Sequence, residues 1–219
     1  MNTASSMPSP STRQKATVVR EYGPFPVERV HGVTHDGTHV WFAHGKKVAA
    51  MNPETGAIEK EIEVLAEAGT AFDGEHLYQI GEDKIRKVDP KTGRVVATLP
   101  TPGMTKDNSG LAWEGGTLWV GQFKGRAIHQ IDATTGRLLK TLRTDRFVTG
   151  VSFADGDLWH GTWEGETSEL RRVDPATGRV LETLEMPDGV SGLEAKGDLL
   201  FCGGIKTPVI RAVKRPARK

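Results

Sequence analysis

Side chains able to do chemistry are sparse in this chain and fall in loops, without a contiguous motif. Two carboxylates, Glu67 and Asp107, stand just ahead of short apolar runs, where either could carry a proton. Ser109, His31 and Asp107 supply a nucleophile, a base and an orienting acid, but no nucleophile-elbow sequence surrounds the serine. His31, His44, Glu67 and Asp107 are of metal-ligand type, yet no spacing gathers three or four of them, so no metal site is expected. Cys202 is the lone cysteine, which excludes an internal disulfide framework. A thiolate–imidazole pair with His160 is weighed against a small buried hydrophobe, and the second reading is favoured. Phosphate-cradling glycine loops and basic-aromatic patches are absent, so neither a cofactor nor a nucleic-acid partner is expected.

The elements that would position these residues repeat. Each copy begins at a Gly before apolar residues, namely Gly32, Gly69, Gly110, Gly150 and Gly192, spaced 37, 41, 40 and 42 residues apart. A turn follows, then an apolar-aromatic pair: Val40-Trp41, Leu77-Tyr78, Leu118-Trp119, Leu158-Trp159 and Leu200-Phe201. Four copies then carry a second turn closing on Gly56, Gly93, Gly136 or Gly178 and a fourth strand. The fifth copy ends without that strand, and Thr17–Tyr22 has its pattern. The spacing predicts an all-β, five-bladed β-propeller with the N-terminal strand closing the C-terminal blade, which removes an open sheet edge. The propeller is expected over residues 16–213: a closing strand at 16–23, then blades from near 30, 67, 108, 148 and 190. A disordered tail at 1–15 and a basic tail at 214–219 flank it.

Repetition separates scaffold from site. Trp41, Trp119 and Trp159 share a slot with Tyr78 and Phe201 and are expected to pack between blades. Trp163 has no such slot and is placed in a loop between the second and third strands of blade four, where it could stack on a ligand or offer its N–H. Loops joining strands two and three and loops joining blades emerge on one face, which is variable, whereas the turn face is monotonous. A small axial pocket is expected at the variable face. The residue before each repeat Gly is placed nearest the axis: His31, Ala68, Ser109, Thr149 and Ser191. His44, Asn108, Gln122, Trp163 and Lys206 join them as candidate binding residues.

At 219 residues the chain is ample for one domain. A net charge of +1 gives no field to attract nucleic acid or an anionic membrane. Residues 1–15 contain no apolar run, and no stretch is long enough to span a bilayer. The expectation is a cytoplasmic monomer whose partner is a small molecule or peptide.

The stretches Gly156-Asp157-Leu158-Trp159-His160-Gly161-Thr162-Trp163 and Phe201-Cys202-Gly203-Gly204-Ile205-Lys206-Thr207-Pro208-Val209-Ile210, with Glu75-His76-Leu77-Tyr78-Gln79, carry a resemblance. Through them the chain resembles the plant-type and bacterial glutaminyl cyclases, which convert an N-terminal glutamine into pyroglutamate. The resemblance implies a five-bladed propeller and a pocket walled by Trp163 and Lys206. The family's blade-two glutamate falls on Ala68 here, with Glu67 one residue earlier, and its blade-three aromatic falls on Ser109. Its acid residues are therefore not matched, so the resemblance by itself implies the fold and pocket and leaves cyclase activity open. Three readings stay open: an enzyme using Glu67 or Asp107 as acid–base (a cyclase, lyase or hydrolase), a non-catalytic ligand-binding propeller, and an interaction scaffold.

Overall fold

The computed structural model describes residues 11–217 and arranges them as five sheets, with no helix among the described residues. No helix is long and apolar enough to cross a membrane. Two strands come first, β1 (Thr12–Lys15) and β2 (Val18–Tyr22). Blade one is β3 (Val33–His35), β4 (Val40–Ala43), β5 (Gly45–Met51) and β6 (Ile58–Ala66). Blade two is β7 (Thr70–Phe72), β8 (Leu77–Gly81), β9 (Lys84–Val88) and β10 (Val95–Pro100). Blade three is β11 (Asn108–Glu114), β12 (Thr117–Gln122), β13 (Ala127–Asp132) and β14 (Leu138–Arg143). Blade four is β15 (Phe147–Ala154), β16 (Asp157–Glu164), β17 (Thr167–Val173) and β18 (Val180–Met186). Blade five has three strands of its own: β19 (Val190–Lys196), β20 (Leu199–Gly204) and β21 (Ile210–Lys214).

Its fourth strand is β2, which pairs antiparallel with β21 in the register Arg20↔Ala212, Glu21↔Arg211 and Tyr22↔Ile210. Tyr22 is buried beside Phe201, and Glu21 accepts from Arg211 Nε at 2.8 Å. An N-terminal segment and the last strand are thereby tied into one sheet.

The repeat glycines explain how the ring is packed. A Cβ on Gly69 would lie 2.3 Å from the backbone N of Leu111, one on Gly110 2.5 Å from that of Val151, and one on Gly150 2.7 Å from that of Leu193. A Cβ on Gly192 would lie 2.5 Å from the His31 carbonyl, and one on Gly32 2.5 Å from that of Ala68. Each innermost strand thus presses its glycine against the next blade, and the fifth presses back on the first. Close approach, not an unusual φ, demands glycine there.

Five apolar clusters fill the five interfaces between blades. Trp41, Tyr78, Trp119, Trp159 and Phe201 each sit in one of them, as their shared slot predicts. The outer turns are fixed locally. Asp89 and Asp174 accept backbone N–H bonds at 2.8 and 2.7 Å from two residues on, and Gly93 and Gly178 take the left-handed φ of 74° and 77°.

The expectation of a disordered tail over 1–15 requires correction. Residues 1–10 lie outside the described residues, but Thr12–Lys15 forms a fifth strand of blade four, parallel to β18. Ladder bonds and charge hold it where apolar burial does not: Arg13 reaches Glu185 at 2.6 Å and the buried Glu169 at 2.8 Å. The basic tail is also partly engaged. Lys214 belongs to β21 and pairs with Asp198, and Arg215 pairs with Asp155 at 2.5 Å.

Candidate functional site

A cavity of about 360 Å³ draws on all five blades. His31, Ala68, Ser109, Thr149 and Ser191, the residues ahead of the repeat glycines, all line it. Further residues complete the wall: Arg29 and Glu67 from blades one and two, Phe123, Trp163 and Ile205 from blades three to five.

Strand irregularities aim the hydroxyls. β11, β15 and β19 each shift register against their second strand, between Asn108 and Leu111, Val148 and Gly150, and Val190 and Leu193. Ser109, Thr149 and Ser191 occupy these bulges, devices that re-aim a side chain. Each hydroxyl rests on a glycine of the neighbouring strand. A Cβ on Gly121, Gly161 or Gly203 would lie 3.1, 2.6 or 2.3 Å from the Ser109, Thr149 or Ser191 oxygen. Asn108 Oδ1 and these three hydroxyl oxygens are buried without a hydrogen-bond partner. Native interiors satisfy nearly all such atoms, so four of them on residues lining one cavity are an unusual concentration.

Charge lies on the other side. Burial, then the nearby Arg29, lowers the His31 pKa below 6.5 against the opposing pull of Glu67, which leaves the imidazole neutral at pH 7. Glu67 is exposed, and its Oε2 accepts the Glu82 N–H at 2.9 Å.

Three residues along β19 from Ser191, Glu194 takes hydrogen bonds from Thr34 Oγ1 at 2.8 Å and Ser152 Oγ at 3.1 Å, which belong to blades one and four. Burial pushes its pKa up to about 7.

Several sequence-level expectations need correcting. Asp107 does not line the cavity. Its two oxygens accept the Lys124 and Gly125 N–H groups at 2.7 Å each, so this buried acid fixes the loop after β12. Gln122 is likewise structural, donating to the Pro102 and Met104 carbonyls at 2.9 Å. His44 turns to Glu61, 3.2 Å away, and Lys206 is exposed outside the cavity. Trp163 lines the cavity but lies within β16, not in a loop, and its indole N–H donates to the Gly165 carbonyl. Its donor is therefore already spent within the protein. His160 and Cys202 form no reactive pair, because burial lowers the imidazole pKa to about 4 and raises the thiol to about 12.

Arg29, Phe123 and Ile205 were not among the sequence candidates. For the two apolar residues a signal existed: Phe123, Trp163 and Ile205 each stand two positions after Gly121, Gly161 and Gly203.

The structure of Myxococcus xanthus glutaminyl cyclase superposes with a TM-score of 0.78 over 94% of this chain and 98% of that one, at 18% identity. This chain has the fold of that cyclase. Kuenenia stuttgartiensis hydrazine synthase matches at a TM-score of 0.52 and 20% identity, over 81% of this chain and 56% of that one. At these identities the likeness concerns the fold. No protein-family profile matches the chain, and no curated protein does. Among the described residues no group of three or more His, Cys, Asp or Glu is placed to hold a metal ion.

Proposed function

We propose that the cavity binds a small molecule or the N-terminus of a peptide, in a protein built on the glutaminyl cyclase fold. The observation that carries this reading is the set of unpartnered buried oxygens on Ser109, Thr149, Ser191 and Asn108, residues that all line one cavity. Phe123, Trp163 and Ile205 supply an apolar wall for the body of the ligand. The hydroxyls take its polar group, and Glu67 stands across from them for a cationic one.

Glu67 and the neutral His31 in the same cavity favour a second, catalytic reading. In glutamine cyclisation the α-amine nitrogen attacks the side-chain amide carbon and the bond to the leaving nitrogen breaks. A carboxylate removes the proton of the amine and returns it to the departing ammonia. Of the two acids nominated from the sequence, Glu67 alone lines the cavity, so that role falls to it.

Both readings meet one experiment: purified protein mixed with short peptides bearing N-terminal Gln, followed by thermal melting and mass spectrometry. A peptide at about a hundredfold excess over its Kd raises Tm by about 5–10 °C. Trp163→Ala abolishes that rise and leaves a cooperative melt without peptide. Ammonia loss that disappears in Glu67→Gln establishes the catalytic reading, whereas a raised Tm without turnover leaves binding alone. No shift with any peptide or small-molecule set sinks the binding reading.

A further inference from the structure

The cavity is lined by one guanidinium and one carboxylate, those of Arg29 and Glu67. Neither makes an ion pair among the described residues, with the other or with anything else. Both act on the His31 imidazole, in opposite directions, so both stand near it. The Arg29 guanidinium makes no hydrogen bond among the described residues. Glu67 takes the Glu82 N–H on Oε2 at 2.9 Å, and its Oε1 has no partner among the described residues.

The rest of the polar lining of this same cavity is neutral and buried. Thr149, only 6% exposed, has an unpartnered hydroxyl oxygen, as do Ser109 and Ser191. Asn108 Nδ2 donates to Asp83 Oδ1 at 3.1 Å, which leaves the unpartnered Oδ1 of Asn108 as an acceptor. Hydroxyls give or take a hydrogen bond and Oδ1 only takes one, so a neutral amide or hydroxyl head group can satisfy both. A charged head group would find no counter-ion among these residues.

We propose that the ligand is a free α-amino acid with an uncharged polar side chain, whose carboxylate lies on Arg29 and whose ammonium lies on Glu67. The inference rests on the small-molecule reading of the pocket. One cation and one anion, each without a partner, together balance a zwitterion. The guanidinium fork matches a carboxylate, and a carboxylate accepts from an ammonium. The N-terminus of a longer peptide brings the ammonium but no carboxylate beside it, and Arg29 would gain nothing. A volume of about 360 Å³ is near the lower end of the roughly 300–1,000 Å³ of ligand cavities, a size suited to a single residue.

Calorimetric titration of the full chain tests it with four probes: L-glutamine, its α-amide, N-acetyl-L-glutamine and the tetrapeptide Gln-Leu-Ala-Gly. Glutamine binds tightest. Loss of the carboxylate in the α-amide and loss of the ammonium in the acetyl derivative each weaken binding about fivefold, the size expected of an exposed ion pair. Both gaps narrow between about 50 mM and about 500 mM salt. Arg29→Gln makes glutamine and its α-amide bind alike, and because Arg29 is exposed and unpaired the variant keeps the wild-type melt. Equal binding of glutamine and its α-amide to the unaltered protein overturns the Arg29 assignment and leaves the pocket reading standing. Tighter binding of the tetrapeptide than of glutamine overturns the free amino acid in favour of a peptide. If none of the four binds, the inference falls, and the pocket reading falls with it only when the melts with peptides and small molecules also show no shift.

Discussion

Blades three to five and blades one and two build opposite halves of one pocket from the same repeat. In blades three to five a hydroxyl precedes the repeat Gly, a glycine faces it on the second strand, and an apolar side chain stands two positions further on. Blades one and two abandon that formula. Ala43 and Ile80 fill the slots of the facing glycines, Ala68 replaces a hydroxyl, and Arg29 and Glu67 bring charge beside the neutral His31. Repetition yields a neutral cradle with an apolar wall, and departure from it yields the ionisable groups. A ligand that uses both halves is amphipathic, with its charge toward blades one and two.

Substitutions can break this comparison where the halves should behave alike. The glycine ring treats all blades equally, so Gly69→Ala in blade two and Gly150→Ala in blade four should be similarly damaging. Each new Cβ meets backbone at 2.3 or 2.7 Å, and each costs about 3 kcal/mol or more, a Tm loss of about 6–12 °C or failure to fold. A mild effect at either site in thermal melts would mean that the ring is looser than its contacts show.

Glu194 sets the next largest effect. Its folded pKa of about 7 exceeds the ordinary 4.5, so the folded protein holds a proton that the unfolded chain releases. The penalty is absent below about pH 4.5, grows as pH rises, and is complete above about pH 7, where it reaches about 3 kcal/mol. Glu194→Gln therefore flattens the fall in Tm between about pH 5 and about pH 8 and raises Tm at the alkaline end. Melts of both proteins across that range check it, and parallel curves would contradict it.

Gly161→Ala makes blade four resemble blade one, where Ala43 holds the slot. The Cβ meets the Thr149 hydroxyl at 2.6 Å and Val190 at 3.1 Å, contacts that side-chain motion can relieve. Stability falls by about 1 kcal/mol, and ligand-induced stabilisation is lost because the cradle is filled. Smallest of all is Thr149→Val, which removes an unpartnered oxygen while keeping the shape. It leaves stability within about 0.5 kcal/mol of wild type, or slightly higher, and reduces the Tm rise that a bound peptide produces.

Much of the pocket was legible because it follows the repeat. The residue ahead of each repeat Gly reaches the cavity in every blade, since five strands in one register must bring equivalent positions together. The errors have a common physical origin. Glu67 and Asp107 look equivalent in the sequence, but Asp107 is consumed by N–H groups 17 and 18 residues away. Gln122 is drawn off by carbonyls 20 and 18 residues earlier, and Lys206 points to solvent. β1 escaped notice because a polar strand on a sheet edge leaves no apolar alternation to read.

The sequence by itself determined the number of blades, the glycine ring and the closing strand. Strand alternation, turn chemistry and close backbone approach are local requirements that recur every forty or so residues. Only the tertiary structure decided which carboxylate lines the pocket, that the Trp163 N–H is spent on Gly165, and that Glu194 would sit between hydroxyls of blades one and four. Those outcomes depend on hydrogen bonds and desolvation contributed by distant segments, which no local pattern encodes.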